Sequence, residues 1–539
     1  MLIRLAVIGL LTFACSFSAV SAARETPNIV FILADDLGIG DVKCYGGERC
    51  LIDTPHLDQL AQGGLRFTDA HVNASVCGPT RAAIMTGRYP WRFGPAHPGG
   101  AWGFIGPRFD TDTFTLADML HTAGYRTGYV GKWHLGTTMT TMDGAVQNET
   151  NVDFTQPLKV GPPQFGFDDS FILPGSLDMY PYAFARNNRW QGEVTAQKGW
   201  SAFNRVGPAE KDFQDHQVLE TFYHEAEQFI GRQSSDKPFF LYLALTAPHT
   251  PISPGKAWQG RSQLGVYGDF VMEVDHAVER IVNVLKKQQH YDNTLILFSS
   301  DHGPASYAGN ILKATPGQIH LLEDAGHFPA GPHQGYKFSV YEGGLRVPLI
   351  AHWPGVIEPG GRCDALVGLC DLMATLAEVT GGSISAEDAP DSISFAGLLR
   401  DPNAAAPRSS LIMQSIGPFV VRDGVWKLCL CPGSGATGRY GNRPAADDAW
   451  KTALAAFGRT PDWSDLVNAP FVQLFNVAED PHEDHNLAAQ HPDIVRRMVT
   501  LLQGRIESGR STPGPPLSND NSTVNIIQRV PKFVRDQLR

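Results

Sequence analysis

Four times along this chain an apolar run of strand length ends in an acid, a lysine or a histidine beside Gly or Pro. Asn28 to Ala34 runs into Asp35-Asp36-Leu37-Gly38, and Tyr125 to Val130 runs into Gly131-Lys132-Trp133-His134. Phe239 to Leu245 leads to Thr246-Ala247-Pro248-His249, and Thr294 to Ser300 leads to Asp301-His302-Gly303. Unbroken apolar runs, rather than alternating ones, are what strands buried on both faces require. Such strands belong to a largely parallel sheet with helices on either side, where polar groups collect at the carboxyl ends of the strands. The expected fold class is therefore α/β, with the functional residues along one edge of the sheet.

The intervening segments fit that frame. Thr115 to Ala123 reads as a helix stopped by Gly124, and Val274, Ala277, Val278, Ile281 and Leu285 form a helical stripe. Leu349 to Trp353 reads as a strand, and Asp371 to Leu376 as a helix ending near Gly381-Gly382. Residues 137–200 are loop-rich and aromatic without a regular period, so they either shape a substrate pocket or merely connect. Residues 304–336 form an irregular insert with His320, His327 and His333, read either as a second metal site or as scattered solvent-exposed histidines. A chain of 539 residues suggests one large domain and a smaller one. The Ala-, Ser-, Asp- and Pro-rich stretch 383–410 marks the boundary, giving a catalytic domain over 27–382 and a subdomain with a tail over 383–539. That second part holds short strand signals at 409–414, 419–422, 426–431 and 473–476, then a helix over 491–508.

The chemistry centres on Ser75 to Arg88. Pro79 suits the first turn of a helix, Thr80 to Thr86 continues it, and Gly87 stops it. Cys77 is thereby expected just before a helix N-terminus, where free N–H groups favour negative charge, with Arg81 one turn on and able to reach back. That combination is an anion site containing a nucleophile. The adjacent acids Asp35 and Asp36 repel each other unless a cation lies between them. With Asp301 and His302 they make a donor set rich in oxygen, which suits a hard cation and favours Ca²⁺ over Mg²⁺, although an imidazole weakens that preference.

Cys77-Gly78-Pro79-Thr80-Arg81, continued by Ala82-Ala83 and Thr86-Gly87-Arg88, resembles the signature of the type I sulfatases, of arylsulfatase and N-acetylgalactosamine-6-sulfatase type. The resemblance implies an alkaline-phosphatase-like fold: a large mixed, mostly parallel sheet sandwiched by helices, with a smaller C-terminal α+β subdomain on a short antiparallel sheet. It implies that a maturation enzyme oxidises Cys77 to formylglycine (3-oxoalanine), whose hydrated aldehyde attacks sulfur and then collapses to expel sulfate. It further implies one Ca²⁺ held by Asp35, Asp36, Asp301 and His302, with the modified residue 77 completing the shell. Lys132 and Lys337 resemble the sulfate clamp, Arg81 the residue that steadies the formylglycine, and His134 its hydrogen-bond partner. His249 resembles the general acid for the leaving oxygen, and Asp301 the acceptor of the attacking hydroxyl's proton. The implied substrate is a sulfate monoester on a small molecule, a sugar or a glycan, with the aromatic segment 167–190 as a sugar-stacking wall.

Two other classes compete. A phosphate or phosphonate monoesterase of the same superfamily would share the sheet and the acids, but Cys77 with Pro79 and Arg81 speaks against its Thr or Ser nucleophile and paired zinc ions. A non-catalytic binder of sulfated glycans would leave Cys77 unmatured. The formal charge of −11 argues against nucleic acid as a partner.

Residues 1–23 read as a secretory signal, with Arg4, an apolar run from Leu5 to Val20, and small residues at Val20-Ser21-Ala22 or Ser21-Ala22-Ala23. Export to the periplasm or the extracellular space follows, with no stable membrane span after cleavage; an uncleaved anchor is the competing reading. Beyond Cys15 and Cys77, six cysteines form the local pairs Cys44/Cys50, Cys363/Cys370 and Cys429/Cys431, which an exported protein can oxidise. Asn73, Asn148 and Asn521 open glycosylation sequons.

Overall fold

The computed structural model describes residues 26–94, 97–199, 205–308, 319–431, 433–436 and 472–526, so the signal segment and Cys15 lie outside the described residues. The four runs that end in polar residues are adjacent or near-adjacent strands of one ten-stranded sheet: Asn28–Asp35, Arg126–Lys132, Phe239–Pro248 and Thr294–Ser300. Asn28–Asp35 lies between Thr294–Ser300 and Phe239–Pro248, parallel to both, and Arg126–Lys132 runs parallel on the far side of Phe239–Pro248. Ile29 to Ala34 are fully buried, as strands covered on both faces must be. Parallel direction and matched register bring all four carboxyl ends to one edge.

Successive residues of a strand face opposite ways, and Gly128 and Tyr129 show what covers each face. A Cβ at Gly128 would lie 2.4 Å from Phe229 of the helix Val218–Gly231. Tyr129 faces the other way, toward Arg81 of the helix Cys77–Thr86. The helix Gly265–Lys287 packs on Val218–Gly231 and buries Val274, Ala277, Val278, Ile281 and Leu285 completely, as their spacing predicts. Leu116–Thr122 starts at a reciprocal cap between Thr115 and Asp118, and Leu372–Thr380 stops at Gly381, whose φ is +72°.

The sheet extends where the sequence predicts only loop. Asp169–Leu173 pairs in parallel with Arg126–Lys132, followed by an antiparallel pair, Ala185–Arg186 and Arg189–Trp190. Asp168 anchors this edge by accepting from the Thr127 backbone N–H at 3.0 Å. On the opposite flank Leu349–His352 enters antiparallel, beside Leu65–Phe67 and then Gly361–Cys363. The fold is thus a mixed, mostly parallel sheet between helices.

A second sheet of four antiparallel strands comprises Ser410–Gln414, Phe419–Asp423, Trp426–Cys429 and Gln473–Asn476, with the helix Pro492–Glu507 following. It touches the chain just before Cys77: Gln414 donates to Asn73 at 3.1 Å, and Ser75 donates to Gln414 at 3.1 Å. Among the described residues no helix is long and apolar enough to cross a membrane. All described cysteines are free thiols, so none of the three local pairs is bonded.

The histidines of the 304–336 insert do not converge on a metal. His327 is fully buried, not exposed as scattered loop histidines would be; it donates to Asp41 at 2.8 Å and accepts from the Leu51 N–H at 3.2 Å. His320 sits 2.7 Å from Glu323, and His333 2.9 Å from the Pro481 carbonyl.

One glycine is a test of how tightly the strands meet near the site. Gly131 has φ +123°, and a Cβ there would lie 1.8 Å from the Ala244 carbonyl oxygen. Gly131→Ala should therefore destabilise the protein by more than about 3 kcal/mol in chemical denaturation. An unchanged denaturation midpoint would show that this strand pair is looser than described.

Candidate active site

Cys77 is the first residue of its helix rather than the residue before it, with Val76 in extended conformation as the cap. Gly78 and Pro79 are both accepted inside the first turn, where the missing Pro N–H has no partner to lose. Cys77 is 2 % exposed, and His302 Nε2 lies 3.1 Å from its sulfur. The His302 Nδ1 lies 2.9 Å from the Gly303 carbonyl, which can only accept. Nδ1 therefore carries a proton, and Nε2 is the ring nitrogen turned into the site.

The strand Asn28–Asp35 delivers two carboxylates because the chain turns sharply at Asp36, whose φ is +64°. The Asp36 N–H donates to Asp301 at 3.2 Å and the Leu37 N–H to Ser300 at 3.1 Å, locking the two strand ends together. Lys132 Nζ lies 2.7 Å from Asp35, and Lys337 Nζ 2.8 Å from Asp36. Arg81 forks onto one oxygen of Asp301 at 3.1 and 2.9 Å and donates a third bond to the Lys132 carbonyl at 3.0 Å. Arg81 thus faces Asp301 instead of reaching back to Cys77, because the buried carboxylate offers a charge-assisted pair that the thiol cannot.

Electrostatics follow from this crowding. Burial pushes the Cys77 thiol up to about 12 against the pull of Lys132 and Lys337, so the positive field expected at the helix start does not make a thiolate. A protonated thiol is a poor nucleophile, which leaves this position without nucleophilic power unless its chemistry is changed. Burial also opposes the charge on Asp35, yet Lys132, His249, Arg81 and Lys337 hold it well below the usual carboxylate range. Asp36 is raised, first by burial and then by Asp35 and Asp301, against Lys337 and His302.

Asp35, Asp36, Cys77, Asp301 and His302 each offer a ligand atom, and all of these lie within 4.8 Å of one another. Asp35 Oδ1 and Asp36 Oδ2 are buried without a hydrogen-bond partner. Orphaned carboxylate oxygens beside a third carboxylate and an imidazole fit a divalent cation, which would supply their missing partner. Three carboxylates and the three cations Arg81, Lys132 and Lys337 balance, so a bound divalent ion would leave the pocket positive and fit for an anion.

His249 and His134 flank this centre. His249 Nε2 is 3.8 Å from Asp36, and its Nδ1 is 2.5 Å from the Thr250 carbonyl, again fixing which nitrogen faces the site. His134 sits at φ +52°, with a buried Nδ1 that has no partner. Burial, with Lys132 and Arg108, pushes His134 well below its ordinary 6.5; burial with Lys337 and Lys132 does the same to His249. Both are neutral at pH 7. Unfolded, each regains its ordinary value and binds a proton near pH 6.5 that the folded form refuses. Their contribution to stability is complete above that pH and is lost as pH falls below it. His134→Gln should flatten the decline of melting temperature between pH 7 and 5; an unaltered slope would contradict the burial of this ring.

The structure therefore gathers Asp35, Asp36, Cys77, Arg81, Lys132, His134, His249, Asp301, His302 and Lys337 at one sheet edge. The aromatic segment behaves otherwise. Phe167, Phe171, Tyr180 and Tyr182 are buried, Phe167 against Tyr129, Trp133 and Phe240, so these rings pack the core and form no sugar-stacking wall. Two residues received no role from the sequence. Asp178, 4.0 Å from His249 and 2.8 Å from Arg205, stands out in Ser176-Leu177-Asp178-Met179 but in a segment without period; Arg108, against Gly78, is a lone arginine in a loop and carries no local signal.

Comparison with known proteins adds independent findings. The family profile described as Sulfatase matches residues 27–382. The N-acetylgalactosamine-6-O-sulfatase of Bacteroides thetaiotaomicron is 30% identical over 518 residues, covering 89% of this chain and 93% of that protein. Human arylsulfatase A is 30% identical over 518 residues, covering 90% of this chain and 89% of that protein. A solved structure from work on the metabolism of multiple glycosaminoglycans by Bacteroides thetaiotaomicron superposes with a TM-score of 0.74 at 28% identity, covering 89% of this chain and 99% of that one.

Proposed function

The chain belongs to the sulfatase family and is an enzyme that hydrolyses sulfate esters, and from that premise we propose how it does so and on what. The nucleophile is a formylglycine made from Cys77 by a maturation enzyme, the metal is one Ca²⁺, and the substrate is a sulfated sugar. The observation that carries this reading is the group of five ligand atoms within 4.8 Å that includes Cys77 and two orphaned carboxylate oxygens. We assign the catalytic domain to residues 27–382 and a C-terminal subdomain with its tail to 383–539.

Asp35, Asp36, Asp301 and His302 would hold the ion, which when bound supplies positive charge to the sulfuryl oxygens. A hydrated aldehyde at position 77 supplies the oxygen nucleophile that the thiol at about 12 does not. Lys132 and Lys337, aimed into the same space, bind the sulfuryl oxygens as point charges. Arg81 fixes Asp301, and Asp301 accepts the proton of the attacking hydroxyl. His134 offers its unpartnered Nδ1 to the group at position 77. His249 presents Nε2 from a ring held by Thr250, and it delivers a proton to the leaving oxygen after the anionic substrate has offset Lys132 and Lys337.

A two-zinc phosphoesterase needs more imidazole than this group provides: His302 is its single histidine. The sugar reading is supported by the relative named for N-acetylgalactosamine 6-O-sulfate. Export is supported by the apolar segment 5–20 behind Arg4. The test is peptide mass spectrometry of protein matured in a competent host, joined to metal analysis and a panel of sulfated sugars. The expected results are loss of H₂S with gain of oxygen at Cys77, one calcium per chain, and turnover of a sugar sulfate. Active enzyme with an unmodified thiol would overturn the nucleophile assignment, and turnover confined to an aryl sulfate would overturn the sugar assignment.

A further inference from the structure

Arg108 differs from every other cation around Cys77. Arg81, Lys132 and Lys337 each face a carboxylate. Arg108 has no ion pair and no side-chain hydrogen bond among the described residues, and its Nε is buried without a partner. Its guanidinium packs on the residue after the nucleophile: a Cβ on Gly78 would lie 2.6 Å from Nη2. Arg108 also lines a cavity of about 390 Å³ with Val76 and Pro79, which bracket Cys77, and with Trp91, Gln414 and Ser415. Among the described residues Arg108 is the only charged one in that wall. Trp91 and Ser415 are 6 % and 2 % exposed, and the Trp91 Nε1 and Ser415 Oγ are also buried without partners.

An unpaired arginine beside two unused donors describes a site built for an acceptor-rich anion. Among the described residues nothing carboxylic lines the cavity to repel it. We propose that Arg108 and this cavity bind a second acidic group of the substrate, a uronate carboxylate or another sulfate, while the ester to be cleaved lies at position 77. The proposal rests on the sugar-sulfate reading above. Arg108 is thereby a specificity-determining residue, and the preferred substrate is a saccharide with two anionic groups. A planar fork suits both candidate anions, so chemistry alone does not separate them.

The test compares wild type with Arg108→Met and Arg108→Lys on four substrates: 4-nitrophenyl sulfate, a neutral hexosamine monosulfate, a uronate-containing disaccharide monosulfate and a hexosamine disulfate. Melting temperature is followed alongside, and should hold, since no buried pair is broken. Arg108→Met should lose ~10–100-fold in kcat/KM, chiefly through KM, on one of the two acid-bearing sugars. On the aryl ester and the neutral sugar, which offer Arg108 no second acid, the loss should be about tenfold smaller and confined to the field that Arg108 exerts on His134. Which sugar suffers identifies the carboxylate or the sulfate, and Arg108→Lys should fall between. Equal losses on all four substrates would place Arg108 on the reacting ester and overturn the proposal, as would no loss on either acid-bearing sugar. Wild-type enzyme that cleaves none of the sugars would instead sink the sugar reading and this proposal together.

Discussion

Cys77→Ala should abolish turnover, with kcat/KM falling on the order of 10⁴-fold or more while the fold and the metal site persist. The asymmetry comes from what this side chain touches. Among the described residues its sulfur makes one hydrogen-bond contact, with His302 at 3.1 Å, and the thiol lies at about 12, so removing it breaks no ion pair. Losing one small buried side chain at a helix start costs about 1 kcal/mol, well inside the stability of a folded domain. Cys77→Ser tests the chemistry more finely, because it keeps an oxygen at the position but not a geminal diol. An unmatured serine should be as inactive as alanine over many turnovers. Residual activity within tenfold of wild type in either variant would move the nucleophile elsewhere.

The second large effect is expected at Asp301. This carboxylate is fully buried, accepts two bonds from Arg81 and one from the Asp36 N–H, and stands 3.4 Å from His302. Asp301→Asn keeps the shape and removes the charge. Arg81 then remains buried opposite a neutral amide, a loss of about 3–5 kcal/mol for breaking a buried pair. The ligand group loses one of its three carboxylates, so calcium content should fall together with activity, by ~10³-fold or more for kcat/KM. Thermal melting with and without added calcium separates the two consequences. The Arg81 effect appears in both conditions, and calcium should raise the melting temperature of wild type by more than it raises that of the variant. Equal calcium response in both proteins would remove Asp301 from the metal site.

The parts of this molecule that sequence reading reaches are those with a strong local signal. Asn28–Asp35, Phe239–Pro248 and Thr294–Ser300 are unbroken apolar runs, and each was legible to within a few residues because nothing but a buried strand accommodates them. The stripe of Gly265–Lys287 was legible for the same reason. Asp169–Leu173 was not: it is five residues long and begins with a polar pair, and it belongs to the sheet because Thr127 and Asp168 bond across the strands. The four small-sheet strands were legible as short strand signals, and their antiparallel pairing only through the family resemblance. In the site, sequence located Asp35, Asp36, Lys132, His134, His249, Asp301 and His302 at strand ends, and Cys77 and Arg81 at a helix start. It misjudged Arg81, whose partner Asp301 is 220 positions away, and it read the aromatic segment 167–190 as a sugar-stacking wall, whereas the rings of Phe167, Phe171, Tyr180 and Tyr182 fill the core. Arg108 was invisible because an unpaired charge is defined by what is absent around it, and only a fold shows that.

The most direct test is an anomalous-scattering crystal structure of natively matured protein with a sulfated saccharide bound. One cation peak should lie among Asp35, Asp36, Asp301 and His302, beside an oxidised residue 77, with the sulfuryl group between Lys132 and Lys337. A cation bound elsewhere, two metal peaks, or a sulfuryl group seated away from residue 77 would contradict the account.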